Sequence, residues 1–423
     1  MRPNDKGWFK DYLELRKSAL FNLLNPEIRK ASHPEYTLYR VLQPTGLMYG
    51  QSFASMGIPD IDHWDEKEKL KILLTESLIT SSLLFYDKTV KTEEDLSNAI
   101  SKTIENIANF YNNIFPELAT PTKTIFGRKK SPLELAEKVL NKRIEHASNF
   151  GGNFWIYFFH NSLLFLDVFI FGQWIHTNAD RIVADFFRYE REELRFSVVK
   201  VIAAASHANK EVAAEERRLY EYFVESTDLT VERRKEALKI FEEGFSIEDI
   251  NLPSENSWIL KRFFLEVAIL TIWADKKVEQ VELDFLKQFC HYLGFTDEDL
   301  ENSMISIEGF MLEHWGELEY LQDKQDYQEV SEQFVKRLSR LAERNKTRLV
   351  KKIQENEEAS RLMKKASSNE LTLEEKEKVR HQLLVVLKSI PTFGILSLPQ
   401  DFLTLPILLK ILPNNLFAEA IRE

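Results

Sequence analysis

Two groups of oxygen-bearing side chains in the middle of the sequence have a spacing that suits a divalent cation. The candidate ligands are Asp275, Glu279, Glu282, Asn209 and Glu216. A hard cation such as Ca²⁺ or Mg²⁺ needs several oxygen ligands, which carboxylates and amides supply. Acidic residues at the start of a helix also cap it and stabilise its dipole, and Lys276 and Lys277 lie beside these candidates. A divalent-cation site and plain helix capping therefore both remain open interpretations.

A basic stretch closer to the C-terminal end is a candidate binding surface for an anionic partner. Its residues are Lys336, Arg337, Arg340, Arg344, Arg348, Lys351 and Lys352. Such side chains bind anionic lipid headgroups or RNA phosphates, although the same pattern is typical of a solvated helix face. The chain as a whole has a net charge of −11, which argues against wholesale coating of nucleic acid and against DNA as a partner.

The sequence lacks the motifs of several common enzyme classes. No histidine follows a glutamate by three positions, and no G-x-x-x-x-G-K-[ST], G-x-G-x-x-G or G-x-S-x-G motif is present. His160 lies in an aromatic, apolar run and His207 lies just before Asn209, and a local structural role is favoured for each over that of a ligand or base. We therefore predict a non-enzymatic protein with no evident small-molecule substrate.

Cysteine content and the first residues indicate the compartment. Cys290 is the only cysteine, so no intramolecular disulfide can form, and its apolar neighbours predict a buried thiol. The first residues lack the basic, apolar and small-residue order of a secretory signal. Both observations favour a cytoplasmic protein.

The elements that must position these residues are helices. Glycine and proline number 13 each, together well below their usual share of roughly 12% of a chain. No Asn-Gly or Asp-Gly hairpin turn occurs between alternating apolar runs. The apolar run Asn153–Ile175 is long enough to span a bilayer, but Asp167 interrupts it. A buried core helix and a membrane-contacting helix are both consistent with this run.

One helical pattern occurs twice, 66 residues apart, beginning at Ser197 and at Phe263. Each copy has an apolar helix, a polar turn and a second helix that begins with acidic residues. The matched pairs are Ala208 with Ala274, Lys210 with Lys276, Val212 with Val278, Glu216 with Glu282 and Phe223 with Phe289. A helical hairpin cannot bury its apolar face alone, so the two copies are expected to pack into a shared core.

This arrangement resembles the TerB family of tellurite-resistance-type proteins, over about residues 190–305. The family's turn motif, A-D-G-x-h-x-x-x-E, matches Ala274-Asp275-Lys276-Lys277-Val278 with Glu282. The first copy has Asn209 in place of the aspartate, and both copies have lysine in place of the glycine. The resemblance implies a helical domain whose acidic turn is associated with divalent-metal binding.

The C-terminal region is apolar but repeatedly interrupted by proline. Its motif residues are Lys388, Pro391, Pro399, Pro406, Lys410 and Pro413. Each proline removes a backbone donor and ends the helix before it, so short helical pieces are predicted. This ordered set, over about residues 335–423, resembles the LETM family of leucine-zipper/EF-hand-containing transmembrane proteins and their bacterial relatives. Gln400-Asp401 stands where relatives often carry two glycines.

Together the two resemblances match bacterial proteins described as LETM-related biofilm-associated proteins. They imply a membrane-associated protein, with ribosome binding and cation exchange as further family properties. In the mitochondrial members a ribosome-binding domain follows the motif, whereas this sequence stops just after it.

The sequence thus predicts an all-α protein: an N-terminal helical region (1–185), a tandem TerB-like domain (190–320) and a LETM-like helical hairpin (335–423). The leading hypothesis is a non-enzymatic adaptor or scaffold at the cytoplasmic face of the inner membrane, with a protein or membrane partner. A LETM-type ribosome-binding factor and a divalent-cation-binding stress-response protein are the alternatives.

Overall fold

A computed structural model shows an all-α protein, as the sequence predicts. It describes residues 1–23, 34–42, 63–86, 90–123, 127–147, 154–177, 181–209, 212, 214–250, 257–273, 278–313, 315, 324–368, 371–396 and 398–421. Within these ranges, extended pairing is confined to an isolated bridge between Lys123 and Lys129. The chain divides into two compact units, Met1–Tyr292 and Leu293–Glu423. The three-part division by family resemblance stays a prediction.

The first unit is a helical assembly. Its described α-helices are α1 (Trp8–Leu23), α2 (Pro34–Leu42), α3 (Glu66–Leu84), α4 (Glu93–Ile114), α5 (Pro132–Ala147), α6 (Phe154–Trp174), α7 (Arg181–Ser206), α8 (Ala214–Ser226), α9 (Val231–Glu243), α10 (Trp258–Trp273) and α11 (Gln280–Tyr292). The centre of its N-terminal half is α3, which packs against α1, α2, α4, α5 and α6. All residues from 70 to 84 are buried, and a capping box between Asp65 and Glu68 fixes the start of this helix.

The aromatic run forms α6, and the described part of its surface lies in the core. Residues 163–171 are all buried. Asp167 accepts a bond of 2.6 Å from Arg143 Nε and one of 3.1 Å from the Tyr111 hydroxyl. These partners offset the cost of burying the carboxylate, so Asp167 does not require a membrane-facing role. Among the helices described here, none is both long and apolar enough to cross a membrane.

The 66-residue repeat is confirmed by the helix bounds. The helices α8 and α11 have 13 residues each and begin at Ala214 and Gln280, which is the offset seen in the sequence. Phe223 and Phe289 are both buried at equivalent positions. The buried Cys290 follows Phe289, as predicted from its apolar surroundings.

The repeat also extends beyond the two helices that the sequence indicates. The next helices begin at Val231 and Asp297, again 66 residues apart. The turns before them place Asp228 (φ 51°) and Gly294 (φ 79°) in the left-handed region at equivalent positions. Thr230 and Thr296 follow, and their hydroxyls accept bonds from backbone amides three residues on. Each copy is therefore a three-helix repeat with the same tight second turn.

The second unit contains the remaining described helices. They are α12 (Asp297–Glu313), α13 (Lys324–Arg344), α14 (Lys346–Glu355), α15 (Glu357–Ser368), α16 (Leu373–Ser389), α17 (Pro391–Gly394), α18 (Leu405–Ile411) and α19 (Leu416–Ile421). In this unit α12 packs on α13, α13 packs on α18, and α19 packs on α14 and α15.

The prolines divide the C-terminal region as the sequence predicts. A capping box between Thr372 and Glu375 begins α16, and Pro391 follows its end and opens α17. Pro406 occupies the first turn of α18, where its missing donor has no intrahelical acceptor to lose. Pro399 and Pro413 are buried between the short helices. The result is a folded array of short rods packed against α13 to α16.

Candidate functional site

An open, mainly apolar groove lies in the second unit between α13 and the segment that leads into α18, hereafter the α13–α18 groove. Its volume is about 1160 Å³. The lining residues are Trp315, Tyr327, Gln328, Ser331, Glu332, Val335, Lys336, Ser339, Asp401, Phe402, Thr404, Ile407 and Lys410. Concave apolar surfaces with a few polar groups are typical of binding sites.

Helical periodicity explains how α13 forms one wall. Tyr327, Ser331, Val335 and Ser339 are spaced by four residues, so they share one face of the helix. The residues of a neighbouring stripe are buried instead, and these are Val330, Phe334, Leu338 and Leu341. Burial of that stripe fixes the rotation of α13 and leaves the Tyr327–Ser339 face at the groove.

Aromatic contacts build one end of the groove. The ring of Phe402 lies 5.7 Å from Phe334 and 6.5 Å from Tyr327, measured between centroids and in edge-to-face geometry. Tyr327 in turn contacts Trp315 at 5.1 Å. Edge-to-face pairs at these distances are favourable, so the aromatic end is a packed surface.

Hydrogen bonds hold the opposite wall in place. Arg380 of α16 donates from Nε to the Leu403 carbonyl at 3.0 Å and also donates to the Gln400 carbonyl. These bonds fix the turn that presents Asp401 and Phe402. Ser339 donates to the carbonyl of Ile411 at 3.1 Å, which ties the end of α18 to α13.

Most of the basic residues proposed for an anionic partner are paired within the second unit. The ion pairs are Arg337–Glu308 (3.0 Å), Arg340–Glu301 (2.6 Å), Arg344–Glu301 (2.5 Å), Lys351–Glu355 (3.8 Å) and Lys352–Glu355 (2.7 Å). Arg348 lies 3.5 Å from the side-chain oxygen of Asn345. Lys336 makes no ion pair within the described ranges, and it lines the groove together with Lys410, which is likewise unpaired there.

The pair between Arg337 and Glu308 is deeply buried on the Glu308 side. The Glu308 side chain is fully buried, and its second carboxylate oxygen makes no hydrogen bond. Burial raises the pKa of Glu308 to about 7, although the charge and hydrogen bond of Arg337 oppose the change. Arg337 is thereby directed towards α12, so it does not contribute a free charge to the groove.

The acidic turns of the two repeat copies come together in the first unit. Asn209 Nδ2 donates to Glu282 Oε1 at 3.3 Å, and the backbone amide of Glu279 donates to Glu282 Oε2 at 2.7 Å. Glu282 is buried at the third residue of α11, and Glu216 is buried at the equivalent position of α8. Oε2 of Glu282 therefore caps the start of α11, and Oε1 links the two repeat copies through Asn209.

The structure describes all of the proposed metal ligands except one. Asp275 lies outside the described residues. Within the described ranges, no group of three or more His, Cys, Asp or Glu side chains is placed to hold a metal ion. The divalent-cation site stays a prediction, and the observed bonds of Glu282 are a helix cap from the Glu279 amide and a link to Asn209.

The residues of the C-terminal motif serve different purposes. Lys410 lines the groove and Pro406 lies in the same short helix, whereas Lys388 is exposed at the end of α16. Sequence reasoning missed the apolar lining, namely Tyr327, Val335, Phe402 and Ile407. For Tyr327 and Val335, the spacing by multiples of four residues along α13 was a signal that could have predicted a shared face. The contact between Phe402 and Tyr327 could not have been predicted in this way, because the two residues are far apart in sequence.

Comparisons with known proteins find a partial similarity. The chain is 28% identical over 135 residues to the co-chaperone protein DjlA of Vibrio parahaemolyticus, which covers 30% of this chain and 48% of that protein. It is 27% identical over 124 residues to DjlA of Vibrio cholerae, which covers 27% and 44% respectively. The chain thus spans somewhat less than half the length of these curated relatives. No family model and no solved structure matches.

Proposed function

We propose that this protein is a non-enzymatic adaptor that binds partner proteins through the α13–α18 groove. The observation that carries the proposal is the groove itself, whose apolar wall ends beside two lysines without ion-pair partners in the described chain. Exposed apolar concavities on a folded protein mark interaction sites. The similarity to proteins named co-chaperones supports an adaptor that works with other proteins.

Site-specific photo-crosslinking in cells tests this function. A photoreactive phenylalanine analogue placed at Tyr327 or Ile407 reports on the groove. The same analogue at Leu409 is the matched control, because Leu409 is 47% exposed on the helix that carries Ile407 but does not line the groove. We expect discrete protein adducts from the two groove positions. No adducts, or the same adducts from Leu409, would contradict the function.

The proposed place of action is the cytoplasmic face of the inner membrane. The resemblance of the proline-containing region to LETM proteins supports this location, and α17, α18 and α19 are short helices of that region. Fractionation of cells that produce the full chain tests it. Recovery in the membrane fraction at low salt and release at high salt is the expected result. Recovery wholly in the soluble fraction at low salt would remove the membrane from the proposal.

Divalent-cation binding is a second candidate function, favoured by the meeting of the two acidic turns. Asn209 Nδ2 of one copy donates to Glu282 Oε1 of the other at 3.3 Å, so side chains of both copies meet at this point. Calorimetry with calcium, magnesium and manganese should then give heat that Asp275→Ala abolishes. If all three metals give no heat, the turns serve capping alone.

A further inference from the structure

The two ends of the α13–α18 groove carry opposite charges. Ser339 Oγ lies 3.2 Å from the Lys410 carbonyl oxygen, so Lys410 and the nearby Lys336 belong to the same end. Asp401 lies closer to the start of α13, because it precedes Phe402, whose ring contacts Phe334 and Tyr327. An elongated ligand with charge at one end is therefore held in one direction.

Exposed charges without an ion-pair partner in the described ranges lie along the whole groove. Lys336 and Lys410 are both exposed and form no ion pair within the described ranges, whereas Arg337, Arg340 and Arg344 of the same helix are paired. Asp401 is likewise exposed and forms no ion pair within the described ranges, and Glu332 accepts a bond of 3.0 Å from the neutral side chain of Gln328. Complementary charge on a ligand selects the correct partner and its orientation, and the two neighbouring lysines, Lys336 and Lys410, select carboxylates at their end of the ligand.

The length of the groove fits a short helix. From Tyr327 to Ser339 the helix rise is about 18 Å, or roughly three turns, at 1.5 Å per residue. Val335 on α13, together with Phe402 and Ile407 on the opposite wall, provides apolar contacts. An amphipathic helix lying in an apolar groove uses anchors at positions i, i+3, i+4 and i+7.

We propose that the α13–α18 groove binds an acidic amphipathic helix of a partner protein. The apolar face of that helix packs on Tyr327, Phe402 and Ile407, and carboxylates at one of its ends pair with Lys336 and Lys410. This inference rests on the proposed adaptor function and adds the chemistry of the partner.

A pair of synthetic peptides tests the proposed chemistry. Each probe is a fluorescein-labelled, helix-forming peptide of about 14 residues with leucine and phenylalanine on one face. One carries glutamates at one end and the other carries lysines at the same positions. Fluorescence anisotropy with the full chain gives the two affinities, and circular dichroism verifies that each protein variant is folded.

We expect the wild-type chain to bind the glutamate peptide about tenfold more tightly than the lysine peptide, since two partly exposed pairs change from attraction to repulsion. In the double variant Lys336→Glu/Lys410→Glu this preference should reverse. The matched control is Lys376→Glu, an exposed lysine on α16 outside the groove, which should leave the preference unchanged. Ile407→Ser should weaken both peptides, whereas Leu409→Ser should weaken neither.

Three results would overturn the inference. These are equal affinity for both peptides, an unchanged preference in the double variant, and binding of phosphatidylserine vesicles that the double variant abolishes without any peptide preference. The last result would assign the groove to lipid. Crosslinked proteins at Tyr327 and Ile407 without a peptide preference would refute the acidic helix while leaving the adaptor function in place.

Discussion

At the scale of single residues, the first unit depends on charges that are buried and paired. Arg143 and Asp167 are almost fully buried and lie 2.6 Å apart. Removing one partner of such a pair leaves the other charge in the core without compensation. We expect Asp167→Asn to reduce the free energy of unfolding by about 3 to 5 kcal/mol, as measured by urea denaturation.

A surface pair provides the control for this prediction. Asp185 and Arg188 lie 2.8 Å apart on α7, but the Asp185 side chain is 59% exposed. Exposed pairs contribute about 0 to 1 kcal/mol, so Asp185→Asn should have little effect on the urea midpoint. Similar losses in both variants would show that burial of the Asp167 pair has no special importance for stability.

Glu308 gives the second unit a specific pH dependence. Burial raises the pKa of Glu308 from its ordinary value of 4.5 to about 7. Between these values the unfolded chain has released a proton that the folded chain still holds, so rising pH disfavours the folded state. We expect the stability of the wild type relative to Glu308→Gln to fall by about 3 kcal/mol between pH 4.5 and 7.

Urea unfolding at several pH values measures this difference directly. Glu298→Gln is the control, because Glu298 is an exposed carboxylate on the same helix, and this variant should keep the pH dependence of the wild type. A constant stability difference between the wild type and Glu308→Gln across this range would contradict the raised pKa.

At the scale of elements, local signals predicted much of the helical architecture. The capping box at Thr372 and Glu375 and the break at Pro391 mark both ends of α16 in the sequence and in the structure. The duplicated pattern gave the second helix of each repeat copy. The third helix of each copy was not predicted. Asp228 and Gly294 share a left-handed backbone conformation, but their side chains differ, so the sequence does not show that the two turns are equivalent.

The candidate site was less accessible to sequence reasoning, since it depends on long-range contacts. The basic stretch was recognised, but spacing alone cannot show that Arg340 and Arg344 both reach Glu301 on another helix. Lys336 lies four residues before Arg340, yet it forms no ion pair within the described ranges and lines the groove instead. The groove also needs Phe402 beside Tyr327, which is set by Arg380 and by packing rather than by any local motif.

The turn before α12 offers a test of the three-helix repeat. Gly294 has φ 79°, where a β-carbon costs about 1 to 2 kcal/mol. We expect Gly294→Ala to lower the free energy of unfolding by this amount. Gly294→Asn should cost less, because asparagine tolerates the left-handed region better than alanine. Equal losses for both variants, or none, in urea denaturation would argue against a left-handed turn.

At the scale of the whole molecule, the distribution of charge separates the proposed partners. The chain has a net charge of −11, and most cations of residues 336–352 are already paired. Long-range repulsion therefore opposes any acidic ligand, while the short-range attraction of Lys336 and Lys410 favours it. Salt affects these two contributions differently, because the Debye length falls from about 30 Å at 0.01 M to about 8 Å at 0.15 M.

Raising the salt concentration over this range screens the repulsion that acts over tens of ångströms, whereas ion pairs at contact distance lose little of their attraction. We therefore expect the affinity of the wild-type chain for the glutamate peptide to rise by about threefold to tenfold between 0.01 M and 0.15 M salt. Ribosome binding through RNA phosphates would show the opposite trend, because each phosphate contact makes the affinity fall with salt. Anisotropy titrations and ribosome co-sedimentation across the same salt series measure both trends. Peptide affinity that falls steeply with salt, together with salt-sensitive co-sedimentation, would favour the ribosome as the partner over an acidic helix.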